Sequence, residues 1–283
     1  MSTEIYYFSG TGNSLHVARE LQQRLPEARL TSIVHVLHNG PARTSADTIG
    51  LVFPNFCLSI PIPLHHFLEK IDLTSARYIF AVCTRGGSPS QAFDYINELL
   101  KNQGKRLNAQ MNVTMPWNHP TGKENLTGQN SPERISRLES VLLQKLADFC
   151  PYIAAREDHF PKDTDVEMKL PSVAKVFDRL VTKSFNYKSH EYMYQNVVHF
   201  TSDAKCKGCG VCAKVCLSGK IDIIDDHPAW NKDVPCYACF ACINFCSQQA
   251  IQVQSNFLID SHSAENDRYH HQTVSFTDIA EQR

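Results

Sequence analysis

The chain has 283 residues, 42% of them hydrophobic, with 28 basic and 29 acidic side chains and a formal charge of −1. That length favours two domains, and the even charge excludes the strongly basic footprint of a general nucleic-acid or membrane-surface binder. The amino terminus lacks a secretory signal pattern and no uncharged apolar run approaches the roughly 18 residues of a membrane span, so a cytoplasmic protein without membrane insertion is expected.

Ile5 to Phe8 reads as a short strand. A loop of glycines and small polar residues follows (Ser9, Gly10, Thr11, Gly12, Asn13, Ser14), and Leu15, Ala18, Leu21 and Leu25 then recur at helical spacing up to Pro26. Such a loop feeding a helix amino terminus is an anion site, because unpaired N–H groups and the helix dipole face the ligand. The lysine of a Walker loop is missing, as is the third glycine of a dinucleotide fingerprint. What remains is a hydroxyl-rich cradle for one terminal phosphate, closely resembling the FMN phosphate loop of flavodoxins.

Further strands are predicted over Leu30 to Val36, Thr48 to Phe53, Arg77 to Cys83 and Lys105 to Val113. Helices are predicted over Leu64 to Ile71, Gln91 to Leu100 and Pro132 to Phe149. This alternation implies a doubly wound parallel sheet. In the flavodoxin-like order 2-1-3-4-5, FMN lies beyond the carboxyl ends of the strands. Pro54, Asn55, Phe56 and Cys57 occupy one loop at that end, and Thr84, Arg85, Gly86 and Gly87 another. Phe56 suits ring stacking or core capping, and Gly86-Gly87 permits close backbone approach. Arg85 either steadies a reduced flavin or is a solvated surface arginine. Cys57 is weighed for a redox role, and Cys83 reads as a small buried hydrophobe. Met115 to Asn118 could close the site, although a surface anchor is the commoner fate of Trp117. His65, His66, His270 and His271 read as surface residues.

Residues 155 to 170 look like a surface excursion. Behind Pro171, Val173, Val176, Phe177, Leu180 and Val181 mark a bridging helix. Of the eleven cysteines, eight fall between 206 and 246. Cys206, Cys209, Cys212 and Cys216 follow C-x2-C-x2-C-x3-C, and Cys236, Cys239, Cys242 and Cys246 repeat it thirty residues on. This is the two-cluster ferredoxin run, in which the fourth cysteine ligates the other cluster. One [4Fe–4S] cluster is then expected on Cys206, Cys209, Cys212 and Cys246, and a second on Cys236, Cys239, Cys242 and Cys216. Zinc sites usually draw two separate CxxC knuckles, and here three sulfurs crowd each short loop. The fourth cysteine is expected at the start of a short helix. Leu217 and Ser247 stand where proline usually follows it. Lys205, Lys207, Lys214 and Lys220 are expected around the first unit, balancing anionic clusters or docking an acidic partner. Val274, Phe276 and Ile279 could dock the polar tail.

The combination resembles the flavodoxin/ferredoxin fusion family often called EFR1-type ferredoxins. The resemblance rests on Ser9 to Ser14, Pro54 to Pro61, Gly86-Gly87, Met115-Pro116, both cysteine runs and Arg268 to His271. It implies a flavodoxin-like domain over 1–153, an excursion and bridging helix over 154–198, a small α+β two-cluster ferredoxin domain over 199–255, and a tail over 256–283. The implied function is electron transfer among FMN, two [4Fe–4S] clusters and redox protein partners whose identity the sequence does not give. The alternatives are an FMN-free module docking the ferredoxin unit onto a larger enzyme, and a flavin-dependent reductase of a small substrate.

Overall fold

The computed structural model describes residues 2–40, 43–56, 58–122, 130–167, 187–256 and 260–283. Its first half alternates β1 (Thr3–Tyr7), α1 (Asn13–Arg24), β2 (Ala28–Ser32), α2 (Ile33–Asn39), β3 (Thr48–Pro54), α3 (Ile62–Lys70), β4 (Tyr78–Arg85), α4 (Ala92–Lys101), β5 (Ala109–Thr114) and α5 (Pro132–Ala155). The five strands are parallel in the order β2-β1-β3-β4-β5, a flavodoxin-like sheet as expected. One face buries Val17, Ala18 and Leu21 of α1 with Leu142, Leu146 and Phe149 of α5. The other buries Ile33, Leu64, Phe67, Ile96 and Leu100 from α2, α3 and α4. All eight residues of β4 are buried, so the central strands read as continuous apolar runs without alternation.

Three boundaries differ from expectation. The strand read over Leu30 to Val36 stops at Ser32, whose hydroxyl accepts the Val34 and His35 N–H groups at 3.1 and 3.2 Å and starts α2. The four β-branched residues among 31–36 favour strand locally, but the serine cap and the burial of Ile33 and Val34 prevail. Strand β5 begins at Ala109 instead of Lys105, after a turn in which Lys105 N–H bonds Leu100 O at 3.0 Å. Helix α5 continues past Phe149 to Ala155 with Pro151 inside it, because Cys150 and Ile153 are still buried against the sheet.

The carboxy-terminal part is a small α+β module with two antiparallel pairs. It comprises α6 (Tyr187–Asn196), β6 (His199–Ser202), α7 (Val211–Lys214), β7 (Ile221–Ile224), β8 (His227–Trp230), α8 (Ala241–Asn244) and β9 (Ile251–Gln254). Strand β6 closes on β9, His199 opposite Gln254 and Ser202 opposite Ile251, while β7 and β8 form a hairpin. The sequence duplication is also a backbone duplication. Gly208, Gly210 and Gly219 take φ of 65°, 72° and 72°, and thirty residues later Ala238, Phe240 and Gln249 take 55°, 54° and 50°. The second copy therefore adopts left-handed conformations without glycine, at a cost of about 1–2 kcal/mol each.

The two halves share one core. Val215, Leu217, Ala241 and Phe245 join the apolar layer under α2, α3 and α4, and Leu217 is fully buried. The tail then runs back over the amino-terminal domain and ends in α9 (Phe276–Ala280), capped by Ser275 and Asp278. Val274 and Ile279 are buried as expected, but Phe276 is 40% exposed. Arg19 of α1 pairs with Asp278. Gln282, fully buried, accepts the Ser9 N–H at 3.0 Å and donates to Ser9 O at 2.8 Å. The 155–167 stretch is strapped to β4 by the Arg85–Asp163 pair and to α5 by the Lys145–Asp165 and Arg134–Glu167 pairs. The expected bridging helix from Val173 to Val181 lies outside the described residues, as does Cys57.

Candidate functional site

The phosphate-type loop caps α1. Gly12 takes φ 98° at the N-cap, the Ser9 hydroxyl accepts its N–H at 3.1 Å, and no acidic residue sits in the first helical turn. The amino end of α1 is thus electrostatically open to an anion. The loop is held on every side. Ser14 Oγ lies 2.8 Å from Thr84 Oγ1, Asn13 Nδ2 donates to Pro116 O at 3.1 Å, and Asn118 Nδ2 donates to Thr11 Oγ1.

Beyond the strand ends these residues line a cleft of about 240 Å³. Ser9, Gly10, Thr11, Asn13 and Ser14 form its floor; Pro54, Asn55 and Phe56 come from one loop, and Thr84, Arg85 and Gly86 from the other. Gly12 and Gly87 are not in the wall. Gly12 turns its α-carbon toward Val274 and His271, where a Cβ would stand 2.8 and 2.9 Å from theirs. Gly87 takes φ 99° and accepts the Glu167 N–H at 2.9 Å. Phe56 meets Phe8 edge-on at 6.2 Å while also facing the cleft. Asn55 Nδ2 ties the two loops together, donating to Ser88 Oγ at 3.0 Å and Pro89 O at 2.9 Å.

Several side chains stand elsewhere than the sequence suggested. Arg85 is not a solvated arginine: its side chain is 0% exposed and forks onto Asp163, which also accepts from Asn112 at 3.1 Å. Although burial opposes ionisation, the Arg85 guanidinium holds the Asp163 carboxyl below its usual range. The Arg85 charge is therefore already paired. Trp117 is not a surface anchor but lies in the cleft wall, its indole packed where Gly86 leaves no Cβ and its Nε1 donating to His119 O at 2.9 Å. His119, between Trp117 and Phe240, has a pKa pushed down to about 4 by burial. Sequence reasoning passed over it entirely. His65 and His271 are buried, not superficial, whereas His270 is exposed with its ring on Phe245.

The cysteines converge in two groups. Cys206, Cys209, Cys212 and Cys246 line one small cavity, and Cys216, Cys236, Cys239 and Cys242 line a second. Each group takes three sulfurs from one run and the fourth from the other. The fourth cysteines follow α7 and α8 instead of starting a helix, so each short helix carries the chain from the loop to the opposite cavity. Burial, then the neighbouring sulfurs, push the Cys212 thiol up to about 11, and Cys236 is raised to the same level by burial first and Cys216 next among the raising influences. Four crowded sulfurs of this kind suit a cationic core that would stabilise the thiolates. Backbone N–H groups point at two of them, Ala238 to Cys236 Sγ at 3.4 Å and Ala250 to Cys246 Sγ at 3.3 Å. Lys220 does not ring the first unit. It is buried in the wall of the second cavity, with Nζ donating to Asn231 O and Val234 O at 2.6 and 2.5 Å.

The cleft and the second cavity meet. Cys239 and Phe240 belong to both walls. The Gly10 α-carbon presses so closely on Cys239 that a Cβ there would lie 2.7 Å from the cysteine's own.

No family model and no curated protein matches the chain. Solved structures do. Rubredoxin oxygen:oxidoreductase from the anaerobe Desulfovibrio gigas is 14% identical with a TM-score of 0.36, over 55% of this chain and 36% of that one. Megasphaera elsdenii flavodoxin is 15% identical with a TM-score of 0.32, over 50% of this chain and 98% of that one. A flavodoxin from the domain Archaea is 12% identical with a TM-score of 0.34, over 54% and 99%. The flavodoxin-like assignment rests on the parallel pairing and order of the sheet itself.

Proposed function

We propose that this chain is an electron-transfer flavo-iron–sulfur protein of the EFR1-type flavodoxin/ferredoxin fusion kind. It relays electrons between FMN in the cleft, two [4Fe–4S] clusters on the eight cysteines, and separate redox proteins. The observation that carries this reading is the shared wall: Cys239 and Phe240 border both the cleft and the second four-cysteine cavity. A docking module would have no need to press a phosphate-type loop onto a cysteine loop.

When bound, FMN supplies one- and two-electron exchange and each cluster one-electron exchange, which lets pairs of electrons be split into single ones. The chain supplies position and field. Ser9, Thr11 and Ser14 hydroxyls and the amino end of α1 would hold the phosphate with dipoles instead of a cation. Phe56 and Trp117 offer aromatic faces to the ring, and the Asn55 bridge fixes the spacing of the two loops beside it. Cys206, Cys209, Cys212 and Cys246 would hold the outer cluster, and Cys216, Cys236, Cys239 and Cys242 the inner one. Cys209 is exposed, so the outer group is the one open to a partner protein. Lys220 places a buried positive charge beside the inner group.

Anaerobic purification with flavin and iron counting tests the proposal. It requires about one FMN and roughly eight iron per chain. Iron without flavin would leave a docking module, and zinc in place of iron would end the redox reading altogether.

A further inference from the structure

The two cysteine groups differ in the charge that faces them. Lys220, just ahead of β7, is 7% exposed and lines the inner cavity with Cys216, Cys236, Cys239 and Cys242. Its ammonium is fixed in place. Nζ donates to Asn231 O at 2.6 Å and to Val234 O at 2.5 Å, two residues before Cys236, and lies within electrostatic reach of that cysteine. Both acceptors are neutral carbonyls, so the charge is hydrogen-bonded but not cancelled. Among the described residues no carboxylate forms an ion pair with it. Burying a lysine without a counter-charge is costly, and the four sulfurs are the groups left to supply one.

The rest of the inner wall is hostile to added charge. Phe200, Leu217, Trp230, Tyr237 and Phe240 make up most of it. The outer group has the opposite setting. Cys209 is exposed there, and so is Lys207 in the cavity wall, which leaves water and salt to screen both. Arg268 is half-buried and faces Cys246 and Cys242, but Asp203 and Asp267 also face it and offset its charge. On the inner side Arg283 reaches the turn at Gly219, though it is exposed.

A cluster held by four thiolates becomes more negative on reduction. Apolar burial therefore lowers its potential, and a fixed cation raises it. We propose that Lys220 sets the reduction potential of the inner cluster, its buried charge offsetting the apolar wall so that the neighbouring flavin can reduce that cluster. The inference rests on the iron–sulfur reading of the two cavities. One electron enters and no proton follows it, because the ammonium is already in place to meet the added charge.

The test is a dithionite titration of the full chain, purified anaerobically with its iron and followed by electron paramagnetic resonance. Lys220→Gln is neutral but still a hydrogen-bond donor. It lowers one of the two cluster reductions by at least about 59 mV, a tenfold change in that one-electron equilibrium, and leaves the other in place. Lys220→Arg keeps the charge and holds both reductions nearer to the wild type. Neither reduction moving, both moving alike, or Lys220→Arg falling as far as Lys220→Gln overturns the proposal. Should Lys220→Gln lose its iron, Lys220→Met replaces it; loss of iron from both makes the lysine a structural support and overturns the proposal as well. A wild-type chain without iron defeats the underlying reading, and the proposal with it, at the iron count and before any potential is measured.

Discussion

The α-carbon of Gly10 lies against the backbone of Cys239, with no room for a side chain between the phosphate-type loop and the inner cysteine loop. This contact joins the two halves of the molecule where their proposed cofactors would be closest. Gly10→Ala forces the loops apart, at a cost of about 1–3 kcal/mol for overpacking. We expect the variant to keep its iron and to bind FMN roughly tenfold or more weakly, measured by flavin fluorescence quenching.

The crossed cysteine groups make single substitutions informative. Cys216 sits in the first run but in the second cavity. Cys216→Ala is expected to damage the inner cluster and spare the outer one, while Cys246→Ala does the reverse. Electron paramagnetic resonance of the reduced variants distinguishes the two losses, and iron analysis gives their extent.

His119 is held neutral by burial, its pKa falling from 6.5 to about 4. Between those values the unfolded chain binds the proton and the folded chain does not. Its contribution is therefore complete above pH 6.5 and is lost as pH falls toward 4, by at most about 3 kcal/mol. Thermal unfolding under argon across that range should show a shallower pH slope in His119→Gln than in the wild type.

Gln282 is the tail's deepest anchor. Gln282→Ala removes both bonds to Ser9 and leaves a buried N–H and C=O unpaired, costing about 2–4 kcal/mol. The expected result is a lower unfolding temperature and, because Ser9 opens the phosphate-type loop, weaker flavin binding. A variant unchanged in both would show that the tail merely rests on the domain.

What the sequence revealed was local. Cysteines spaced by two and three residues, a glycine–hydroxyl loop between strand and helix, and alternating elements carry their meaning within about thirty residues. Of the strand expected over Leu30 to Val36, residues 33–36 are helical: their β-branched side chains favour extension, while the deciding groups, the Ser32 cap and the buried face of α2, act through hydrogen bonding and packing. Asp163 answering Arg85, His271 meeting His16 and Gln282 clasping Ser9 pair residues 78 to 273 positions apart. No periodicity or motif encodes such partners. From the sequence, His271 therefore reads as a surface residue, and Arg85 as either a flavin partner or a solvated arginine, whereas the fold buries both.

The central claim is that FMN and the inner cluster exchange electrons within one molecule, across the wall of Cys239 and Phe240. Flash reduction of the flavin, with anaerobic optical detection of flavin reoxidation and cluster bleaching, measures that step directly. The account predicts matched rates for the two signals that do not change as the protein is diluted tenfold. A rate that falls in proportion to protein concentration, or flavin reoxidation without cluster bleaching, would contradict it.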